Sequence, residues 1–571
     1  MDNPQLNAES TGKPIRVYVG YGLLLTAVAV LLLSHSWQRW GDPLIDLGRD
    51  LYIAGALVDG EILYRTVLYN YGPLAPYLLA TVVVFCGDSL GVFATVGLTI
   101  ATATAWGLFA IGCRLHSGAV GFVCALLFVV FCLCPGMAYN FILPYSYAAT
   151  LGTAAAVWSF YCLLVLRDRQ DHRIAGTAAI KLLIMTLLCK QDIGLALLIA
   201  HAAEWITFRR WRHAAAASVA MVLTGAICLF LFHGRDGEMT LLADNLMRFS
   251  GNSLSLPFFQ TAAGVDRWRQ LLLLRIIDGM LIAALIAAVA LPGAMRQRYG
   301  APGWRLSWLA AVVIGGPLIV RLGRPDVFAV AVPAAVAVVA LTWREARREP
   351  IFLLAVFILG SAIRLALNYY PHRYGFYLCV PVLPFAVYGL GVRAAELSAV
   401  PQAARALLGL VLIMAIIDFV GNRSTRLASQ TAELVTDKGR MLDYPIGRAE
   451  CIRDVGAYIR ERETPPASMV VFPEGISLNY FFDIPNPMPW YLFIPPELPD
   501  TTDRRVADRL TGSPPDLVVM VERDVTEYGR IGFGLDYGLA ITAWLKANYR
   551  IARTIVHKDR SRSAMIIWER K

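Results

Sequence analysis

The chain has 571 residues, 57% of them hydrophobic, with 52 Lys and Arg against 42 Asp and Glu and a net charge of +10. Apolar runs of about 20 residues exclude a soluble cytosolic enzyme, a fibrous or disordered chain, and a transmembrane β-barrel, whose strands would alternate in polarity. Charge is uneven: residues 422–571 carry 41 charged side chains and residues 1–421 the other 53, so a long membrane region precedes a water-facing tail.

In chain order, residues 1–15 form a cytoplasmic N-terminus without a cleavable signal, because Lys13 and Arg16 precede a span too long for a signal core. Spans are predicted at 16–34, 91–112, 118–134, 144–166, 174–189, 193–208, 214–232, 271–292, 305–320, 326–343, 351–366, 375–395 and 403–421. The clusters Arg167/Arg169/Arg173, Arg209/Arg210/Arg212, Arg296/Arg298/Arg305 and Arg344/Arg347/Arg348 then share the cytoplasmic side, and an odd count sends the tail outside. Excess Lys and Arg thus set topology, and no nucleic-acid motif accompanies them, so nucleic acid is not a partner. The segment Pro73 to Cys86 is too short to span and reads as shallow or re-entrant. Large outer loops follow at about 35–90 and 233–270. The fold class is a polytopic α-helical membrane protein, residues 16–421 with about 13 transmembrane helices, followed by a small extracytoplasmic α/β domain at 422–571.

In that tail, Ser468 to Phe472 and Asp516 to Val521 read as strands, Glu450 to Arg462 and Gly538 to Asn548 as helices, and the proline-dense Pro485 to Pro499 as a surface loop. Of ten cysteines only Cys451 lies there, so the tail has no internal disulfide. Cys132 and Cys134, without a nearby His or third Cys, read as packing residues.

Chemistry concentrates on the predicted outer face. Leu44, Leu47, Leu51, Ala54 and Val58 have helical spacing, suiting an amphipathic helix on the membrane surface that places Asp46 and Asp50 on one face. Either that face offers a carboxylate to a reacting group, or Asp46 caps the helix and Asp50 pairs with Arg49 or Arg65. Cations outside break the positive-inside trend: Arg49, Arg65, Lys190, Arg321, Arg324, His372 and Arg373 all fall at outer membrane edges. Guanidinium forks there suit a lipid-linked phosphate, although local pairs such as Lys190 with Asp192 and Arg324 with Asp326 also account for single cations.

With its first-loop Asp, Gly60-Glu61, Tyr64-Arg65 and the run YNYGPLAPYLL (Tyr69 to Leu79), the chain resembles the GT-C class of membrane glycosyltransferases. The similar branch includes the protein O-mannosyltransferases and the aminoarabinose transferases of lipid A. NFILPYSYA (Asn140 to Ala148), KQDIG (Lys190 to Gly194), GRPD (Gly323 to Asp326), HRYGFYLCVPVLP (His372 to Pro384) and PEGISLNYF (Pro473 to Phe481) carry the same likeness over most of the chain. The resemblance implies a multispan GT-C-like fold in the bacterial inner membrane and a polyprenyl-phosphate sugar as donor, with a lipid, glycan or protein as acceptor. It implies Asp46 as the catalytic acid, with Asp50 second, and Arg373, Arg324, Lys190, His372 and Arg65 as the donor-phosphate grip. Tyr71, Asn140, Tyr145, Gln191, Asp192, Asp326 and Tyr374 are its further substrate-binding candidates. Asn70-Tyr71 stand where the aminoarabinose enzymes carry Glu-Lys, and Asn140 replaces a firm Asp. A divalent metal therefore stays open as a cofactor, with no ligand assigned.

The expected activity is transfer of a single sugar, with inversion, since one acid and several cations need no second nucleophile. The alternatives are a transporter or flippase, a polysaccharide polymerase or ligase handling lipid-linked glycans, and a membrane-anchored binding protein whose tail does the work. A transporter would need ionisable groups near span centres, where this chain has few.

Overall fold

A peptide group inside a bilayer finds no water, so an apolar run satisfies its N–H and C=O groups by coiling on itself. A computed structural model describes residues 15–133, 139–168, 173–232, 257–280, 283, 325–345, 349–371, 374–396, 401–445, 447–556 and 564–571. The first half forms helices α1 (Ile15–Ser36), α2 (Leu47–Val58), α3 (Leu74–Cys86), α4 (Leu90–Leu115), α5 (Gly118–Phe128), α6 (Tyr147–Asp168), α7 (Arg173–Cys189), α8 (Gln191–Phe208) and α9 (Trp211–Phe232). Helix α10 (Pro257–Ala263), α11 (Ala331–Thr342), α12 (Ile351–Ala362), α13 (Gly375–Leu378), α14 (Val382–Tyr388) and α15 (Pro401–Ala428) follow. Among the described residues, five helices are long and apolar enough to cross a membrane: Arg16–Ser36, Leu90–Leu115, Tyr147–Asp168, Trp211–Phe232 and Phe328–Glu345. The span predicted at 305–320 lies outside the described residues, and that at 271–292 does so in large part. Residues 375–395, predicted as one span, are broken into α13, α14 and a π-turn at Gly389–Ala394, with Pro381 interrupting the first break.

The helices approach closely where side chains are smallest. A Cβ on Gly112 of α4 would lie 2.5 Å from Gly121 Cα of α5, and one on Gly360 of α12 would lie 2.9 Å from Ala196 Cα of α8. Between α1, α4 and α5 an apolar groove of about 430 Å³ opens along Leu25, Ala29, Leu98, Ala101, Phe109 and Phe128.

The C-terminal segment folds around a mixed sheet. Strands β1 (Ala432–Thr436) and β2 (Gly439–Asp443) form an antiparallel hairpin, while β3 (Met469–Phe472), β4 (Leu517–Val521), β5 (Tyr549–Val556) and β6 (Ala564–Arg570) make a sheet of order β3-β4-β6-β5. Only β3 and β4 are parallel, with Phe472 opposite Met520. Four helices complete it: α16 (Arg448–Glu461), α17 (Ser477–Phe482), α18 (Asp500–Gly512) and α19 (Leu539–Asn548). The segment predicted as a surface loop, Pro485 to Pro499, instead buries Met488, Trp490, Tyr491, Phe493 and Leu498. Prolines deny it regular structure, yet its aromatic side chains fill the space under the first loop, where Leu68 N donates to Pro489 O at 2.9 Å.

The first-loop helix also differs from expectation. Expected as an amphipathic surface helix, α2 has Leu47, Gly48, Arg49, Asp50, Leu51, Ile53, Ala54 and Ala56 buried within the protein, and it packs on α3 and α17. A Cβ on Gly48 would stand 2.3 Å from Ser477 Cα, so tail backbone rests directly on α2. Lys438 Nζ, bonded to Asp88 at 2.6 Å and Asp483 at 2.5 Å, and Tyr480 OH, donating to Asp88 O at 2.5 Å, fasten the tail to the start of α4.

Candidate active site

Asp46 sits just before the first turn of α2. Leu47 N donates to Ile45 O at 2.8 Å across it, with φ 66° and ψ −48° at Asp46 itself. This is the rare positive-φ γ-turn, a strained conformation for any residue with a Cβ. The Asp46 side chain does not cap the helix. It keeps some open surface while lying deep among protein groups, as a residue on a cavity wall does. Burial, reinforced by the negative Glu474, pushes its carboxyl up to about 7, against the opposing pull of Arg49.

Asp50, one turn on, is engaged on all sides. It accepts from Tyr147 N at 2.6 Å, from Tyr69 OH at 3.1 Å and from Arg49 Nε at 3.2 Å, so its carboxylate pins α2 to the first turn of α6. Asp50, expected as the second catalytic acid, is thus 2% exposed and held by three donors. Arg49 spreads over Tyr71, 4.9 Å from the ring centroid, and donates to the Tyr145 carbonyl.

Beyond Tyr71 lies Lys190, only 1% exposed, in the single-residue break between α7 and α8. Its Nζ stands 3.4 Å from the Tyr71 centroid and donates to Tyr145 OH at 3.3 Å. Cation–π contact offsets part of the cost of burying that charge. The expected pairing of Lys190 with Asp192 does not form. Asp192 accepts instead from Arg364, and from Tyr377 OH at 3.1 Å, while the Arg364 guanidinium lies 5.2 Å from the Tyr374 centroid. Gly72 lets the YNYGP turn close on this break: its N donates to Cys189 O at 3.1 Å and a Cβ there would meet Leu188 O at 2.0 Å.

The structure thus gathers Asp46, Asp50, Tyr71, Tyr145, Lys190, Asp192 and Tyr374 around one aromatic floor. Other candidates stand apart. Asn140 is fully buried and bonds Leu143 O, Ile142 N and Leu143 N, building the turn before α6. Gln191 is exposed at the first position of α8, and Arg65 is half-buried in the turn after α2, without a described contact to the cluster. Asp326 belongs to the 3-10 turn Pro325–Val330. Arg324, His372 and Arg373 lie outside the described residues. The cluster adds Arg49, Arg364 and Tyr377, and from the tail Glu474 and Arg523. Arg364 closes the apolar run predicted at 351–366 at its outer edge, so the signal that singled out Lys190 applied to it as well.

No protein-family profile matches the chain, and no curated protein matches it in sequence. Among solved structures it is similar to the Archaeoglobus fulgidus oligosaccharyltransferase in its apo form, at 11% identity and TM-score 0.50, over 87% of this chain and 69% of that one. It is also similar to ArnT from Cupriavidus metallidurans bound to undecaprenyl phosphate, at 12% identity and TM-score 0.49, over 96% and 98% of the two chains. The likeness to the archaeal enzyme shows the fold: the chain is a multi-pass membrane protein of GT-C architecture. That enzyme has also been solved with Zn and sulfate, at TM-score 0.48. Here, among the described residues, no three His, Cys, Asp or Glu side chains converge in a metal-binding arrangement.

Proposed function

We propose that the protein is an integral membrane glycosyltransferase that moves a single sugar from a polyprenyl-phosphate carrier to an acceptor hydroxyl on the extracytoplasmic face, with inversion. One observation carries this reading. Among the described residues, Asp50 and Asp192 have cationic partners in contact, whereas Asp46 and Lys190, both near Tyr71, make no salt bridge. An acid and a cation that are not tied up in a contact ion pair meet the two needs of the transfer. The acceptor oxygen attacks the anomeric carbon and gives its proton to Asp46. The bond from that carbon to the phosphate oxygen breaks, and the polyprenyl phosphate leaves with the electron pair, its charge met by Lys190. Arg324, His372 and Arg373 join that phosphate grip in this reading. Tyr71, Tyr145, Tyr374 and Tyr377 supply ring faces for the sugar.

The 13-span topology with the tail outside belongs to the same proposal. It puts Lys190, the outer ends of the spans and the tail on one side, where the carrier presents its headgroup. The bacterial inner membrane is the matching location. The groove between α1, α4 and α5 is filled by lipid chains.

The test is release of polyprenyl phosphate by purified protein offered a panel of polyprenyl-phosphate sugars and acceptor fractions from the envelope. At least one donor is discharged by wild type, and Lys190→Gln raises its KM about tenfold through loss of a phosphate contact. A protein that discharges none of them contradicts the proposal.

A further inference from the structure

We infer that the tail domain supplies a working part of the transfer site: Glu474, held by Arg523, is a positioning residue that keeps the Asp46 carboxylate and its proton in place. The inference rests on the proposed role of Asp46 and extends it to a segment at the far end of the chain.

The geometry begins with the one parallel strand pair among the described residues. Two residues beyond the end of β3 stands Glu474, and two residues beyond the end of β4 stands Arg523, so parallel pairing delivers both to the same sheet edge. Arg523 Nε donates to Glu474 Oε2 at 3.0 Å, and its other nitrogens reach Glu527 at 3.0 Å and Asp524 O at 2.7 Å. That fork fixes both side chains; Glu474 is only 7% exposed.

The same turn is pressed onto the start of α2. Gly475, at φ +146°, leaves room for Leu44, whose methyl would lie 3.2 Å from a Cβ there, and Ser477 Oγ donates to Leu44 O at 3.4 Å. Gly48 rests on Ser477. Asp46 lies between Leu44 and Gly48, so contacts on both sides press the turn that carries Glu474 against the segment bearing Asp46.

The charged and titratable groups facing Asp46 are Asp42 and Arg49 from its own segment, Tyr71 from the YNYGP turn, Tyr374 from the bundle, and Glu474, Arg523 and Tyr528 from the tail. Asp42 is bonded to Arg448 and Arg49 to Asp50, which leaves Glu474 as the tail carboxylate in electrostatic contact with Asp46. Both acids are raised, by burial first. Two carboxylates so placed oppose each other's ionisation.

The test is an infrared pH titration of full-length protein in nanodiscs, with the protonated-carboxyl band of Asp46 isolated by subtracting the spectrum of Asp46→Asn. Wild type titrates at about 7. Glu474→Gln removes the like charge and leaves Arg523 unbalanced, so the midpoint falls by about one pH unit or more. Arg523→Gln leaves Glu474 unbalanced, so the midpoint rises. Glu474→Asp, which keeps the charge, restores most of the wild-type value. A structural role would lower melting temperatures without opposed shifts, and a midpoint unmoved by both neutralising variants overturns the inference. Should those variants not fold, a midpoint in Glu474→Asp displaced as far as unfolding displaces it overturns it too. Polyprenyl-phosphate release, read on the same samples, stands apart: opposed shifts without any turnover sink the transferase reading while keeping the placement of Glu474.

Discussion

A strained backbone under a dehydrated acid is expensive, and Asp46 carries both. Folding holds its proton up to about pH 7, against 3.8 for a free carboxyl. Between those values the folded state binds the extra proton, so this group's contribution to stability grows as pH falls and turns into a cost above about 7. Asp46→Asn removes that cost. Thermal melts should therefore show the variant more stable than wild type at about pH 8, with the gap closing toward about pH 5. The opposite holds at Asp50, where Asp50→Ala strands Arg49, Tyr69 OH and Tyr147 N in the interior. A loss of about 3 to 5 kcal/mol is expected in unfolding measurements. Tyr71 separates shape from charge: Tyr71→Phe should keep Lys190 in place, whereas Tyr71→Leu, lacking a π face, should lose about 1 to 2 kcal/mol. The sequence pointed to Lys190 by its position at an outer span edge, to Asp46 by the spacing of the first-loop helix and the GT-C resemblance, and to Tyr71 by that resemblance alone. Spacing alone could not separate Asp46 from Asp50, since both share a helix face; the resemblance ranked Asp46 first, and three bonds converge on Asp50.

Helices were legible as apolar runs, and the tail strands Met469–Phe472 and Leu517–Val521 as short β-branched runs, because each signal is local. What covers a helix is not local. The spacing of Leu44, Leu47, Leu51 and Ala54 announced an amphipathic α2 but gave no hint that a tail turn would cover its other face. Gly48 marks that contact, and Gly48→Ala forces Ser477 outward. We expect a loss of about 1 to 3 kcal/mol and faster proteolytic release of the tail. Gly55, in the same helix with nothing within 4 Å of a Cβ, is the matched control: Gly55→Ala should be neutral or stabilising by about 0.5 to 1 kcal/mol.

At the scale of the whole molecule, a GT-C bundle brings Lys190 and Arg364 to one end, and the tail closes that end by standing on α2. The sheet edge bearing Glu474 and Arg523 meets the bundle edge bearing Asp46, so the proposed transfer site lies at the seam of the two. No spacing rule reads across such a seam, which is why Glu474 was visible only as part of a motif and not as a partner of Asp46. The measurement that tests the account most directly is the pH dependence of polyprenyl-phosphate release. Wild-type turnover should rise through about pH 7 as Asp46 ionises, while Asp46→Asn, folded, should be slower by about 100-fold or more and show no such rise. An Asp46→Asn protein that keeps the wild-type rate and profile would contradict it.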